Sequence, residues 1–177
     1  MKDPNGRTDD SSRRVLSHIE QYGWSISGVQ GEGEVPSWVH TIGLWHSFDH
    51  PEIIVFGLDM PMLEQVANAV AAHVKSGREF EADQRDSDLL ENHDVVFRRV
   101  EPAWYELVMN YAVAFYEDQP FDALQVFLPT NEGLFPWEEG FPEEARFVQP
   151  RLYESDASEA GLERLEERLQ SVRNAHE

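Results

Sequence analysis

Apolar residues recur along this chain at two spacings, and the switches between them predict an order of elements. Val15, Ile19 and Tyr22 fall at helical spacing behind Asp10 or Ser11, either of which can cap a helix, and Gly23 ends it. Trp24 to Val29 alternates as a strand does. Gly31-Glu-Gly-Glu-Val-Pro36 is a turn, and Trp38 to Leu44 is a second strand, so the two form an antiparallel hairpin. Glu52-Ile-Ile-Val-Phe56 is a continuous apolar run of the kind found in strands buried on both faces. Asp59 caps a helix with Pro61 in its first turn, and Leu63, Val66, Ala67, Val70, Ala71 and Val74 form its buried stripe up to Gly77.

Residues 78–94 are charge-rich and read as loop, and Val95 to Val100 as a strand. Pro102 opens a helix in which Trp104, Leu107, Val108, Tyr111 and Phe115 share a face. Ala123 to Leu128 is the last strand. Residues 130–150, with two glycines, three prolines and the aromatics Phe135, Trp137, Phe141 and Phe147, form an irregular segment that packs. Leu162, Leu165, Leu169 and Val172 place a short amphipathic helix at 158–172, which docks on its own domain or forms a homodimer contact. These elements predict a single α+β domain over residues 10–153, with a disordered lead at 1–9 and a helix and tail at 154–177. Its sheet is five-stranded and mostly antiparallel, with strands near 24–29, 37–44, 52–57, 95–100 and 123–128. Helices at 59–76 and 103–116 cover one face, and their connections leave room for one parallel pair.

Composition narrows the function classes. With 41% hydrophobic residues the chain can bury a full core despite its charge. No apolar run is long enough to span a bilayer, the first residues lack the apolar stretch of a signal peptide, and a cytoplasmic location is expected. The absence of cysteine excludes disulfides, thiolate nucleophiles and thiolate metal sites. Of the net charge of −20, −18 resides in the body of the chain, residues 15–150; it excludes nucleic acid and anionic membranes as partners, and either solubilises the domain or attracts a basic protein.

Chemistry concentrates in one place. His40, His46 and His50 fall within eleven residues, interleaved with Trp38 and Trp45. On an uninterrupted strand His40 and His46 would share a face about 20 Å apart, too far to hold one ion. Only His46, Asp49 and His50 could converge on a divalent metal, through a loop. A nucleophile, base and acid could come from Thr41 or Ser47, His40 or His46, and Asp49 or Glu52, but no nucleophile elbow is present. Glu138 or Glu139 beside Trp137 offers a carboxylate against an aromatic ring, which would raise its pKa. No phosphate-cradling glycine loop occurs. The hairpin before an apolar strand is similar to flavin-binding split barrels only at the level of fold. Residues 130–144 contain five acids and no base around Pro136-Trp137 and Phe141-Pro142, an arrangement suited to a basic target.

Several phrases in order, Gly23-Trp24, His40-Thr-Ile-Gly-Leu44, Pro51-Glu-Ile-Ile-Val55, Gln125-Val-Phe-Leu-Pro129, Gly133-Leu-Phe-Pro-Trp137 and Gln149-Pro-Arg-Leu152, resemble a bacterial family known only as domain of unknown function 4262. The resemblance covers roughly residues 18–153 and implies a fold unit with no established activity. It also implies that the histidine strand and the Pro-Trp loop belong to one module. The expected function is a ligand- or protein-binding module. Its site would be made by His40, Thr41, Trp45 and His46 with Gln125 and Trp137. The alternatives are a hydrolytic or metal-assisted enzyme at the same cleft, and an immunity- or antitoxin-like protein bound to a basic partner.

Overall fold

A computed structural model of the chain describes residues 10–117, 119–163 and 165–167. The predicted lead at residues 1–9 lies outside this range, as do Leu169 and Val172 of the predicted C-terminal helix. The first hydrophobic stripe forms α1 (Asp10–Tyr22), with Val15 and Ile19 buried. The hairpin follows as β1 (Ser25–Val29) and β2 (Trp38–Ile42), antiparallel with Ser27 opposite His40. A short helix, α2 (Leu44–Phe48), then turns the chain into β3 (Glu52–Phe56). The capped helix is α3 (Met60–Lys75), in which the Asp59 side chain accepts the Met62 N–H. Next come β4 (Arg85–Leu90), β5 (His93–Arg99), α4 (Tyr105–Val108), α5 (Asn110–Tyr116), β6 (Ala123–Phe127) and α6 (Ala157–Ala160).

The sheet has six strands in the order β1-β2-β3-β6-β5-β4, and it is mixed, not five-stranded and mostly antiparallel. β3 and β6 run parallel at its centre, because the chain between them is long enough for a crossover. The unforeseen strand is β4. Arg-Asp-Ser-Asp-Leu-Leu reads as loop because β4 is an edge strand and turns most of its residues to solvent. β2, β3 and β6 are buried along their whole length, as the apolar run of β3 predicts, and the buried polar residues His40, Thr41, Glu52 and Gln125 are all hydrogen-bonded.

Helices cover both faces, where one was expected. The stripe of α3 packs on Val39, Ile53, Val55, Phe97, Leu124 and Val126. The intervening residues Trp38, Ile42, Ile54 and Phe56 point the other way and pack with α1, α4 and α5. The expected helix over 103–116 is interrupted at Met109, whose backbone leaves helical geometry; at the break the Val108 carbonyl accepts the Trp38 indole N–H at 2.9 Å. The segment 130–150 packs, as its aromatics predict. Phe135 is fully buried and stacks on Trp137, and both lie against Phe127 and Val96. Leu162 and Leu165 are buried in the core beneath α1, α4 and α5. Among the described residues no helix is long and apolar enough to cross a membrane.

Candidate functional site

The histidine strand ends in a buried polar lock centred on Glu52, the first residue of β3. Glu52 has no exposed surface, yet four donors converge on its carboxylate. Thr41 Oγ1 donates to Oε2 at 2.5 Å, and the Gly43 and Trp45 backbone N–H groups donate to Oε1 at 2.8 and 3.3 Å. The Tyr116 hydroxyl from α5 is the fourth donor, and it accepts the His46 N–H at 3.2 Å. Thr41 Oγ1 in turn accepts the Ile53 N–H at 2.8 Å. Burial pushes the Glu52 carboxyl up from its ordinary value, and the four donors oppose that rise. Burial and the neighbouring carboxylate push the Tyr116 phenol far up, so it remains a donor. Gly43, at φ 110°, offers α2 no side-chain cap, and Glu52 caps the helix from the next strand instead. Both carboxylate oxygens are hydrogen-bonded, and the residue is fully buried. The chemistry is that of a structural tie.

His40 is buried on β2, its Nδ1 donating to the Thr41 carbonyl at 3.1 Å. Burial holds its imidazole down at about 4. The register His40–Ile54–Gln125 places His40 and Gln125 on one face of the sheet, two strands or about 10 Å apart. Trp137 lies over Phe127 on that face, ring centroids 5.1 Å apart. The strand and the loop therefore share a face, but the chain itself fills the space between them. Gln125 donates to the Pro150 carbonyl at 2.6 Å and accepts the Leu152 N–H at 3.1 Å. Gln149 closes a second pair of bonds, both 2.8 Å, with the Leu128 N–H and carbonyl. Trp45 is half-buried against α5, and His46 is exposed with its ring edge-on to Phe115.

His50 points away from His46. Its Nδ1 donates to the Pro51 carbonyl at 2.8 Å and its Nε2 accepts the Phe80 N–H at 3.0 Å, so neither nitrogen is left to coordinate. Among the described residues no three His, Asp or Glu side chains are grouped to hold a metal ion. In the acidic loop, Glu138 accepts the Phe135 N–H at 2.8 Å and lies 3.9 Å from Arg85. The Trp137 ring is covered by the Arg98 guanidinium at 4.5 Å. Its aromatics thus face the sheet instead of offering anchors to a target.

An open site lies instead at the far edge of the sheet, where the sequence marked only a hairpin. β1 pairs with β2 on one side, and among the described residues nothing pairs with the other. A cleft of about 360 Å³ wraps the beginning of this free edge, lined by His18 and Tyr22 of α1, by Trp24, Ser25 and Ile26, and by Glu64 and Asn68 of α3. The Trp24 indole donates to Asn68 Oδ1 at 3.1 Å, and the Lys75 ammonium lies 5.7 Å from the Trp24 ring while bonding the Tyr22 carbonyl at 2.9 Å. Ser25 Oγ and His18 Nδ1 are 3.4 Å apart. Among the described residues no carboxylate orients that imidazole, so a nucleophile–base pair here lacks its third member. The sequence signal that could have found this site is a run without charge, Trp24 to Gly31, in a chain of which 27% is charged.

Four of the phrases behind the family resemblance supply the two locks: Thr41 and Gly43 with Glu52, and Gln125 with Pro150 and Leu128 with Gln149; Trp24, from a fifth, lines the cleft. No curated protein and no solved structure matches the chain. A family model described as a domain of unknown function (DUF4262) matches residues 18–142, and the chain belongs to that family.

Proposed function

We propose that this protein is a binding module whose free edge strand, β1, takes up an extended basic segment of a partner protein as an additional strand. The observation that carries this reading is the contrast between the two edges of the sheet. β4 is guarded in the manner of natural edge strands, by Arg85, Asp86 and Asp88 and by a break in its register after Asp86. β1, Ser-Ile-Ser-Gly-Val, has no charge, no proline and no bulge. Its outward N–H and C=O groups are a template for strand addition, a common mode of peptide recognition.

The surroundings of β1 support the same reading. Among the described residues five large apolar side chains are exposed. Four of them, Leu16, Tyr22, Val29 and Met62, belong to β1 or to the two helices beside it. Met60, at the start of α3, packs against Gly28 on the strand itself. The net charge of −20 selects the occupant, since an extended segment rich in lysine or arginine is drawn to this body and an acidic one is repelled. The strand of His40 and Thr41, paired with β3 and locked to it by Glu52, is the rigid floor that holds β1 in place.

The test is a short capped peptide alternating arginine with valine, titrated by fluorescence anisotropy beside two versions methylated on alternate backbone nitrogens, one in each frame. Strand addition uses only one set of alternate amides. One methylated peptide must therefore lose at least about tenfold in affinity, or 1.4 kcal/mol, while the other binds as the parent does. Equal affinity for all three peptides overturns the proposal.

A further inference from the structure

Resting on the edge-strand reading above, we infer that the cleft at the start of β1 is a receptacle for one guanidinium side chain of the bound segment, and so fixes that segment's register. Ile26 belongs to the sheet face covered by α3. A residue of an added strand lying opposite Ile26 points to the same face, where it meets Glu64 and Asn68, one helical turn apart on α3.

The lining suits a flat, delocalised cation. Tyr22 and Trp24 provide aromatic surface, and Tyr22 is 47% exposed, so its ring is accessible. Among the described residues Glu64 is the cleft's only carboxylate, and it has no hydrogen-bond or ion-pair partner there. A guanidinium matches a carboxylate in a two-pronged arrangement and also stacks on aromatic rings, which an ammonium does less well. The volume of about 360 Å³ is ample for a long side chain such as arginine. Lys75 lies against the Trp24 ring but is not part of the lining; its ammonium is already held by the Tyr22 carbonyl. The incoming cation therefore takes the Glu64 carboxylate, and the lysine disfavours a second positive charge beside the first.

The test has two probes. The first is the alternating peptide with each arginine in turn replaced by citrulline, which keeps the shape and removes the charge. The second is N-acetyl-arginine methylamide, which carries the side chain without a strand, observed through the indole N–H signal of Trp24 in a two-dimensional NMR titration. One citrulline position should cost at least about tenfold in peptide affinity and the others much less. Glu64→Gln should abolish that difference, and the arginine amide should shift the Trp24 signal in the native protein but not in Glu64→Gln. A peptide that binds equally well with citrulline at every position overturns the guanidinium assignment while leaving strand addition standing. An arginine amide that binds through Glu64, with no peptide discriminated by backbone methylation, overturns strand addition and leaves the cleft's preference standing. If neither probe binds, both are overturned.

Discussion

Glu52 shows how one residue can settle what a neighbouring cluster does. Its fully buried carboxylate accepts from Thr41, Gly43, Trp45 and Tyr116, and hydrogen bonds to a charged group contribute more than neutral ones. Glu52→Gln keeps the shape but removes the charge and replaces one acceptor oxygen with an amide N–H₂ that meets at least one of the four donors head-on. We expect a loss of about 2–4 kcal/mol in urea unfolding; a change within the error of that measurement would contradict the tie.

His40 yields a prediction in pH. Its folded pKa is held at about 4 by burial against an ordinary 6.5. A depressed folded value means that protonation favours the unfolded chain, so the stability it contributes is complete above pH 6.5 and drains away as pH falls toward 4. The full drain is on the order of 3 kcal/mol. His50, also lowered by burial, acts in the same direction, whereas Glu52, raised by burial, contributes most at low pH and opposes them. The urea midpoint of His40→Gln should fall less between pH 7 and pH 5 than that of the native protein. A parallel pair of curves would show that His40 titrates normally in the fold. At this scale the sequence was legible only in part. It marked His40 and Thr41, but Tyr116 lies 64 residues beyond Glu52, and no local pattern links them.

The elements that escaped prediction were short or exposed. α2 has five residues, too few for a hydrophobic period, and it exists because Glu52 caps it from β3. It also needs Gly43 at φ 110°, where a Cβ would lie 3.0 Å from both the Gly23 carbonyl and the Ile19 side chain. Gly43→Ala should therefore cost about 1–3 kcal/mol and lower the melting temperature by several degrees; an unchanged melting temperature would show that the turn is not strained. β4 escaped for the opposite reason, since edge protection replaced the alternation that identifies a strand with charge. The continuous apolar run of β3 did signal burial on both faces. The expectation of helices on one face did not follow that signal through, because local periodicity cannot assign α3 and the α4–α5 pair to different sides.

For the whole molecule the dominant quantity is charge. At −20 the molecule repels itself and attracts cations over a distance set by salt, with a Debye length of about 30 Å at 0.01 M and about 3 Å at 1 M. Raising salt across that range should weaken the arginine–valine peptide by at least about tenfold and leave a threonine–valine peptide little changed, as anisotropy titrations would show. Salt-independent binding of the arginine peptide would remove charge as the selector.

The locks hold the sheet together, whereas the open surface lies at its uncharged edge. Amide hydrogen exchange on β1 tests that division most directly. Saturating arginine–valine peptide should slow exchange at alternate residues within Ser25–Val29, those whose N–H groups point away from β2, and leave β4 unaffected. Protection confined to β4, to the segment 130–150 or to the surface around His46, with β1 exchanging as in the free protein, would contradict it.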